Sequence, residues 1–274
     1  MRAYITLLST ENYIKGVLVL NYSLKKVNAK YPLTCLLSQG LDSRIATKLE
    51  QEGIKCIYLE QKVYAGMCDT NKKCSHWDFS SWNYTFDKLC IWGLTQYEKL
   101  VFVDSDMVVV KNIDHLFDMA DFTASLAGVL FPTNHHINIL NSGLMVLTPN
   151  KTIERDLIEL ANSLIPQMQS KGLPVGDQDV INAYKSDWFA QKKLILDDGY
   201  NLYAHYLQYY MRHEGYSFKS ERHPIYVIHY VGSEKPWMVN SLGNFIWMCI
   251  RLFPNLYAVG AFFFYRRLLR KIRK

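Results

Sequence analysis

Residues 99–118 read KLVFVDSDMVVVKNIDHLFD, and the chemistry of the chain starts there. Asp104 and Asp106 separate one apolar run, residues 100–103, from a second, residues 107–110. Apolar runs of that length belong to strands buried on both faces. Carboxylates within them are costly unless paired with cations or a metal. A strand that ends at a crevice, with both acids on one divalent cation, meets that requirement. Residues i and i+2 share a face of an extended chain, and oxygen ligands suit Mg²⁺ or Mn²⁺. An acidic turn between two strands is the plain alternative. Further on, a strand over residues 225–228 ends at His229, with Gly232, Lys235, Pro236 and Trp237 just beyond. Imidazole for a metal, glycine for close approach and an ammonium for phosphate would together form a pyrophosphate grip.

Other polar residues carry two readings each. Lys88 lies near the polar edge of a helical pattern over residues 84–97, with Phe86, Leu89, Cys90 and Leu94 inward. It is a site cation or a solvated lysine whose stem covers apolar surface. Asn141-Ser142-Gly143 precedes the buried run LMVL and is ordinary turn chemistry, or it presents a sugar-binding Asn. Gly176-Asp177-Gln178-Asp179 opens a helix with Val180, Ile181 and Tyr184 inward, so its acids are caps or site carboxylates. Tyr203, Tyr206, Tyr209 and Tyr210 read first as core, with a sugar-stacking wall or an acceptor platform as alternatives. Cys68, Cys74 and His76 are close enough for zinc, but no second pair completes a finger-like set.

The elements that must position these residues alternate between strand and helix. Residues 3–8 form a strand, followed after Ser9-Thr10 by a helix through Tyr13, Val17, Leu20 and Leu24. Strands at 33–37 and 54–59 flank a helix at 42–51, which Asp42 or Ser43 caps and Gly53 stops. A short helix at 113–119, a strand at 124–129 and an amphipathic helix at 153–164 follow. This order predicts an α/β fold, a mixed, mostly parallel sheet with flanking helices. Ligands of such sheets bind beyond the carboxyl ends of the strands. Leu7, Ser9 and Thr10 are thereby delivered to the rim where Asp104 and Asp106 emerge.

A chain of 274 residues, 49% hydrophobic, can bury a full core in one domain. Its net charge of +6 is uneven: residues 266–274, RRLLRKIRK, hold six basic groups and no acid, and the rest is balanced at 25 of each sign. A neutral body excludes a general nucleic-acid surface. Six scattered cysteines and no secretory pattern at the start point to reduced thiols and a cytoplasmic setting. Residues 1–237 are read as the catalytic unit and 238–274 as an apolar, amphipathic, basic tail. Its longest apolar run, 256–265, is too short to span a bilayer. It would lie on an anionic membrane surface on the cytoplasmic face, or pack on the domain as a terminal helix.

Taken together, five ordered motifs resemble glycosyltransferase family 8, the retaining nucleotide-sugar transferases that include glycogenin and galactinol synthase. They are TLLSTENYIKGVLVL, FDKLCIWGLTQYEKLVFVDSDMVVVKNIDHLF, LNSGLMV, GDQDVIN and HYVGSEKPW. The resemblance implies a GT-A (Rossmann-like) fold, a Mn²⁺ (or Mg²⁺) site, a UDP-sugar donor and transfer of glucose or galactose. It implies Asp104, Asp106 and His229 as metal ligands, and Leu7, Ser9, Tyr13 and Ser105 around uracil and ribose. It places Gly232 and Lys235 at the diphosphate, and Lys88, Asn141, Ser142, Asp177 and Gln178 at the transferred sugar, with Asp177, Gln178 and Lys88 as the catalytic set. The acceptor would be a lipid-linked glycan, a polyol or a protein, and a homodimer is expected. Pro174 stands where glycogenin-like members carry an acid, and Asp179 where they carry glycine. Tyr200, Tyr203 and Tyr206 occupy the region of the self-glucosylated tyrosine. A non-catalytic nucleotide-sugar binder and a phosphate-cleaving metal hydrolase are the rival classes.

Overall fold

The computed structural model describes residues 1–60, 63, 73–74, 77–78, 80–126 and 128–272. In chain order its principal strands are β1 (Arg2–Leu8), β2 (Leu33–Leu37), β3 (Lys55–Tyr58), β4 (Lys99–Val103) and β5 (Met107–Val109). They continue as β6 (Ala124–Ser125), β7 (Leu144–Leu147), β8 (Ile195–Leu196), β9 (Leu202–Tyr203) and β10 (Val227–His229). The main sheet runs β8-β6-β7-β4-β1-β2-β3. β1, β2, β3 and β4 pair in parallel, β7 is antiparallel to β4 and β6, and β8 is parallel to β6. The sheet is thus mixed and mostly parallel, as expected. A small second sheet, β9-β10-β5, stands beside it.

Strand periodicity builds both faces of the core. Ala3, Ile5 and Leu7 of β1 pack with a 3₁₀ helix (Phe86–Gly93) and with helices α3 (Lys151–Ser170) and α4 (Asp177–Tyr184). The alternate residues Tyr4 and Leu8 pack with α1 (Ile14–Lys26) and α2 (Ser43–Gln51). The two-residue alternation of a strand divides the chain between the faces in this way. The Asp42 side chain caps α2 by accepting from the Arg44 N–H at 2.8 Å, and Gly53 ends that unit at φ +78°.

Several predicted elements differ in kind or extent. Residues 84–97 are not an α-helix: the helical part is the 3₁₀ turn Phe86–Gly93. Its three-residue repeat rotates the buried side away from the predicted one. Ile91 and Trp92 become core, Cys90 and Leu94 are only partly buried, and Lys88 is buried rather than solvated. The expected strand at 124–129 stops at Ser125, and Gly128 beyond it is left-handed at φ +72°. Helix α3 runs through Pro166 to Ser170, past the predicted end at 164, with fully buried Ile165 anchoring that stretch. Residues 114–118 form a 3₁₀ turn.

The C-terminal residues form α5 (Leu207–His213), α6 (Leu242–Leu252) and α7 (Leu256–Ile272), counting from the helix after β9. Ala261, Tyr265, Leu268 and Leu269 of α7 share a core cluster with Val19 of α1 and with Ile228, Tyr230 and Trp237. Among the described residues no helix is long and apolar enough to cross a membrane. Of Cys68, Cys74 and His76, weighed above for zinc, Cys68 and His76 lie outside the described residues, and Cys74 lies in a two-residue strand, Lys73–Cys74.

Candidate active site

The chain leaves the main sheet at Val103 and enters the small sheet at Met107. Asp104-Ser105-Asp106 is the crossing between them. The turn is pinned at both ends: the Asp104 N–H donates to the Gly143 carbonyl at 2.8 Å, and the Met107 N–H to the Asp104 carbonyl at 3.1 Å. Helix α1 presses on it from behind. A Cβ on Gly16 would stand 2.4 Å from the Ser105 carbonyl oxygen, so only glycine lets the helix approach so closely.

His229 ends β10 directly opposite Met107, which brings its ring to the two acids. Nε2 lies 3.1 Å from Asp106 Oδ1 and 4.0 Å from Asp104 Oδ2. One ligand atom from each of the three residues lies within 4.8 Å of the others. The ring orientation is fixed by a chain of amides. The Gly143 N–H donates to Asn141 Oδ1 at 3.0 Å, and Asn201 Nδ2 donates to the same oxygen at 2.6 Å. That turns Asn201 Oδ1 toward His229 Nδ1, 2.8 Å away. A carbonyl oxygen only accepts, so Nδ1 carries a proton, and Nε2 is the ring nitrogen that a metal between the carboxylates would take. This tautomer suits metal binding, and fixing it from behind is the usual task of such a partner. Two carboxylates and one imidazole fit Mn²⁺ or Mg²⁺. Gly143 makes room here too, since a Cβ would stand 2.9 Å from His229 Cε1.

A buried lysine joins this cluster to helix α4. Lys88 Nζ lies 2.9 Å from Asp177 Oδ2 and 3.3 Å from Asp104 Oδ1, over the Phe102 ring at 4.5 Å. Ser142 Oγ donates to Asp177 Oδ2 at 2.7 Å. Gln178 Oε1 accepts from Asn141 Nδ2 at 2.9 Å and from the Ser142 N–H at 3.2 Å. Asp177 is free for this work because Asp179 takes the capping role, accepting from the Gly176 N–H at 2.8 Å. On the other side, Lys235 Nζ donates to Asp106 Oδ2 at 2.5 Å and to the Tyr230 carbonyl at 2.9 Å.

These contacts set the protonation pattern. Burial drives the Asp104 carboxyl up to about 6, with Lys88 drawing it down and the Asp106 charge pushing it up. Burial also opposes the Asp106 charge, but Lys235 and His229 outweigh it and hold that carboxyl below the usual range. For Lys88, burial is more than offset by Asp104 and Asp177, and its pKa rises.

The sequence-predicted residues meet at one rim. Asp104, Asp106, His229, Lys88, Asn141, Ser142, Asp177, Gln178 and Lys235 form one contact network. Leu7 lies near the end of β1, the strand beside β4, with Ser9 just past it, and Tyr13 faces Lys235 Nζ at 5.7 Å. Gly232 takes φ +99°, a left-handed conformation that favours glycine. Of the three tyrosines, only Tyr203 reaches the cluster: its ring edge packs on His229 and its hydroxyl accepts from Asn141 at 3.2 Å. Tyr200 stacks on Tyr226 and Tyr206 on Phe131. Tyr210 is the fully buried core residue of its group, with the others partly exposed. Sequence reasoning missed Asn201, an uncharged residue after a turn with nothing in its neighbours to mark it.

Comparison with known proteins agrees with this geometry. The sequence model of the family described as Glycosyl transferase family 8 matches residues 4–241. Glycogenin-1 of Caenorhabditis elegans is 30% identical over 237 residues, 86% of this chain; the chain spans half the length of that relative. Among solved structures, the galactosyltransferase LgtC, determined with donor and acceptor sugar analogs, superposes with a TM-score of 0.60 at 15% identity, over 95% of this chain and 96% of that one. The glycosyltransferase GlyE of Streptococcus pneumoniae TIGR4 gives 0.56 at 20% identity, over 99% and 63%. At those identities the likeness is one of fold, the GT-A type. The family match over nearly the whole chain is decisive: the chain belongs to glycosyltransferase family 8.

Proposed function

We propose that the chain transfers a hexose, glucose or galactose, from a UDP-sugar to a hydroxyl acceptor with retention of configuration. Asp104, Asp106 and His229 would hold the divalent cation, Mn²⁺ before Mg²⁺ because imidazole is one of the ligands. The observation that carries the reading is the convergence of that ligand set with the Lys88–Asp177 pair on one rim. A bound cation supplies neutralisation of the charge that gathers on a departing diphosphate. Lys235 adds an ammonium on the same side, and Gly232 allows the backbone to come close. Leu7, Ser9, Tyr13 and Ser105 flank the uracil and ribose. Asn141 and Ser142 orient Asp177 and Gln178 toward the sugar.

Retention asks for a nucleophile beneath the anomeric carbon or for same-face attack. Asp177 Oδ2 is already held by Lys88 and Ser142, and Gln178 Oε1 by two donors. Groups engaged in this way are poor nucleophiles, which supports same-face attack with both residues as sugar anchors. The test is UDP release from a panel of UDP-sugars with Mn²⁺ and with EDTA. Metal-dependent UDP release from one hexose donor is expected. Release of inorganic phosphate would point to a hydrolase, and binding without release to a non-catalytic binder. Asp177→Asn should lower kcat at least a hundredfold; near-full kcat would remove Asp177 from the mechanism.

A membrane-presented acceptor is the more specific reading. Leu242, Ile246, Trp247, Ile250 and Phe253 of the α6 segment are exposed, with exposed Arg270 and Lys271 on α7. Apolar and aromatic groups beside cationic ones suit a peripheral seat on anionic lipid. Binding to phosphatidylglycerol vesicles, lost in Ile250→Glu, is expected. Self-association with no vesicle binding would instead make this face a homodimer contact and favour a polyol or protein acceptor.

A further inference from the structure

The segment 230–239 that carries Lys235 has no regular structure of its own. Its shape must be imposed by what packs on it. At its start, the Tyr230 hydroxyl donates to the Ala261 carbonyl of α7 at 2.9 Å. In its middle, Trp237 Nε1 donates to the Asn12 carbonyl at 2.7 Å, and its ring meets Tyr13 edge-on. At its end, Arg266 Nη1 on α7 donates to the Val239 carbonyl at 2.8 Å and to the Pro236 carbonyl at 3.3 Å. Tyr265, fully buried on α7, packs against both Tyr230 and Trp237. Two of these fastenings come from the C-terminal helix; the Tyr230 N–H also donates to the Asp106 carbonyl at 3.0 Å, and Glu234 pairs with Arg251 of α6. The two from α7 bracket Lys235, whose ammonium reaches Asp106 across the site.

We propose that α7 is a working part of the donor site: Arg266, with the Tyr230–Tyr265 pair, is the positioning element that holds the 230–239 segment and so aims Lys235. The inference rests on the proposed use of Lys235 at a diphosphate, and it goes beyond that reading by making the tail part of the site. A charged guanidinium on two carbonyls fixes a loop more firmly than neutral bonds do. A phosphate-binding ammonium that wanders by an ångström loses most of its effect. Arg267, the next residue, is exposed and carries the same charge away from the loop.

The experiment compares full-length Arg266→Ala, Arg266→Lys and Arg267→Ala with the parent. Hydrogen exchange of the 230–239 amides is read first, because it needs no ligand. Arg266→Ala should speed exchange there about tenfold, Arg266→Lys should restore part of the protection, and Arg267→Ala should match the parent. UDP titration with saturating Mn²⁺ is read second. Affinity for UDP and KM for the donor should weaken about tenfold in Arg266→Ala with kcat changed less than threefold. Unchanged loop exchange in Arg266→Ala, or an equal effect from Arg267→Ala, overturns the proposal. Faster exchange with unchanged UDP affinity overturns the link to Lys235. A parent that binds no UDP would refute the donor reading itself, while exchange would still decide whether α7 holds the loop.

Discussion

Replacing Lys88 with methionine tests the electrostatic core of the site. Methionine keeps most of the unbranched stem but removes the cation that lies between Asp177 and Asp104 and over the Phe102 ring. At an effective dielectric of about 20, separations of 2.9 and 3.3 Å correspond to about 5–6 kcal/mol of attraction each. In the intact protein the desolvation of the buried lysine cancels much of this. The substitution removes the attraction and leaves the carboxylates where they are, so a loss of about 3–5 kcal/mol is expected. Against a total stability of about 5–15 kcal/mol that is a large fraction. Urea unfolding at pH 7 in EDTA should show a midpoint about 1–2 M lower, for a slope of about 2.5 kcal/mol per M. Mn²⁺ should recover part of the loss, because it can neutralise Asp104 but not Asp177. Acidification should also shrink the deficit, since a protonated carboxyl needs no counter-charge. A loss below about 1 kcal/mol in EDTA would refute the reasoning, for it would mean that water already solvates the pair.

Three further outcomes are expected. Asn201→Leu removes the acceptor for His229 Nδ1–H, and Mn²⁺ affinity measured by electron paramagnetic resonance should fall about 10- to 100-fold; unchanged affinity would refute the tautomer argument. Because Asp104 is raised to about 6, its contribution to metal-free stability is present below about pH 4 and lost as the pH rises through about 6. Mn²⁺ affinity should run the opposite way, rising with pH to a plateau above about 6; a titration flat from pH 5 to 7 would contradict this. Asp179→Ala removes the acceptor for the Gly176 N–H, costing about 1 kcal/mol by urea unfolding, and it should lower kcat by loosening Asp177 and Gln178 at the start of α4.

What the sequence disclosed follows from how far each signal reaches along the chain. β1, β2 and β4 are apolar runs bounded by turn residues, and Asp42 and Gly53 bracket α2, so local pattern located them. The DSD turn was legible because two acids between apolar runs demand an explanation on their own. Lys88 was not decidable in that way. Its burial is determined by Asp104 on the β4–β5 crossing and by Asp177 on α4, which no helical wheel contains. The 3₁₀ pitch of its helix also moved the buried face. Asn201 was invisible for a related reason: its meaning lies entirely in His229 on one side and Asn141 on the other. The tail was ambiguous because α7 is amphipathic enough for either fate, and only the partners Tyr230 and Trp237 show which face is inward.

The charges around the crossing explain why the two lysines are built so differently. Asp104, Asp106 and Asp177 contribute three negative charges and Lys88 and Lys235 two positive ones, so these five groups sum to one negative charge. A diphosphate is repelled by that sum and attracted once a divalent cation has reversed it. Lys88 takes no part in the reversal. It is wedged between two carboxylates in a 3₁₀ turn whose neighbours are core, and it sets where Asp177 points. On the proposed reading Lys235 would serve Asp106 and an incoming phosphate from one ammonium, which would require a segment able to adjust yet held at both ends. A loop fastened to the start of α1 through Trp237 and to α7 through Tyr230 and Arg266 has that character; a strand or helix would not.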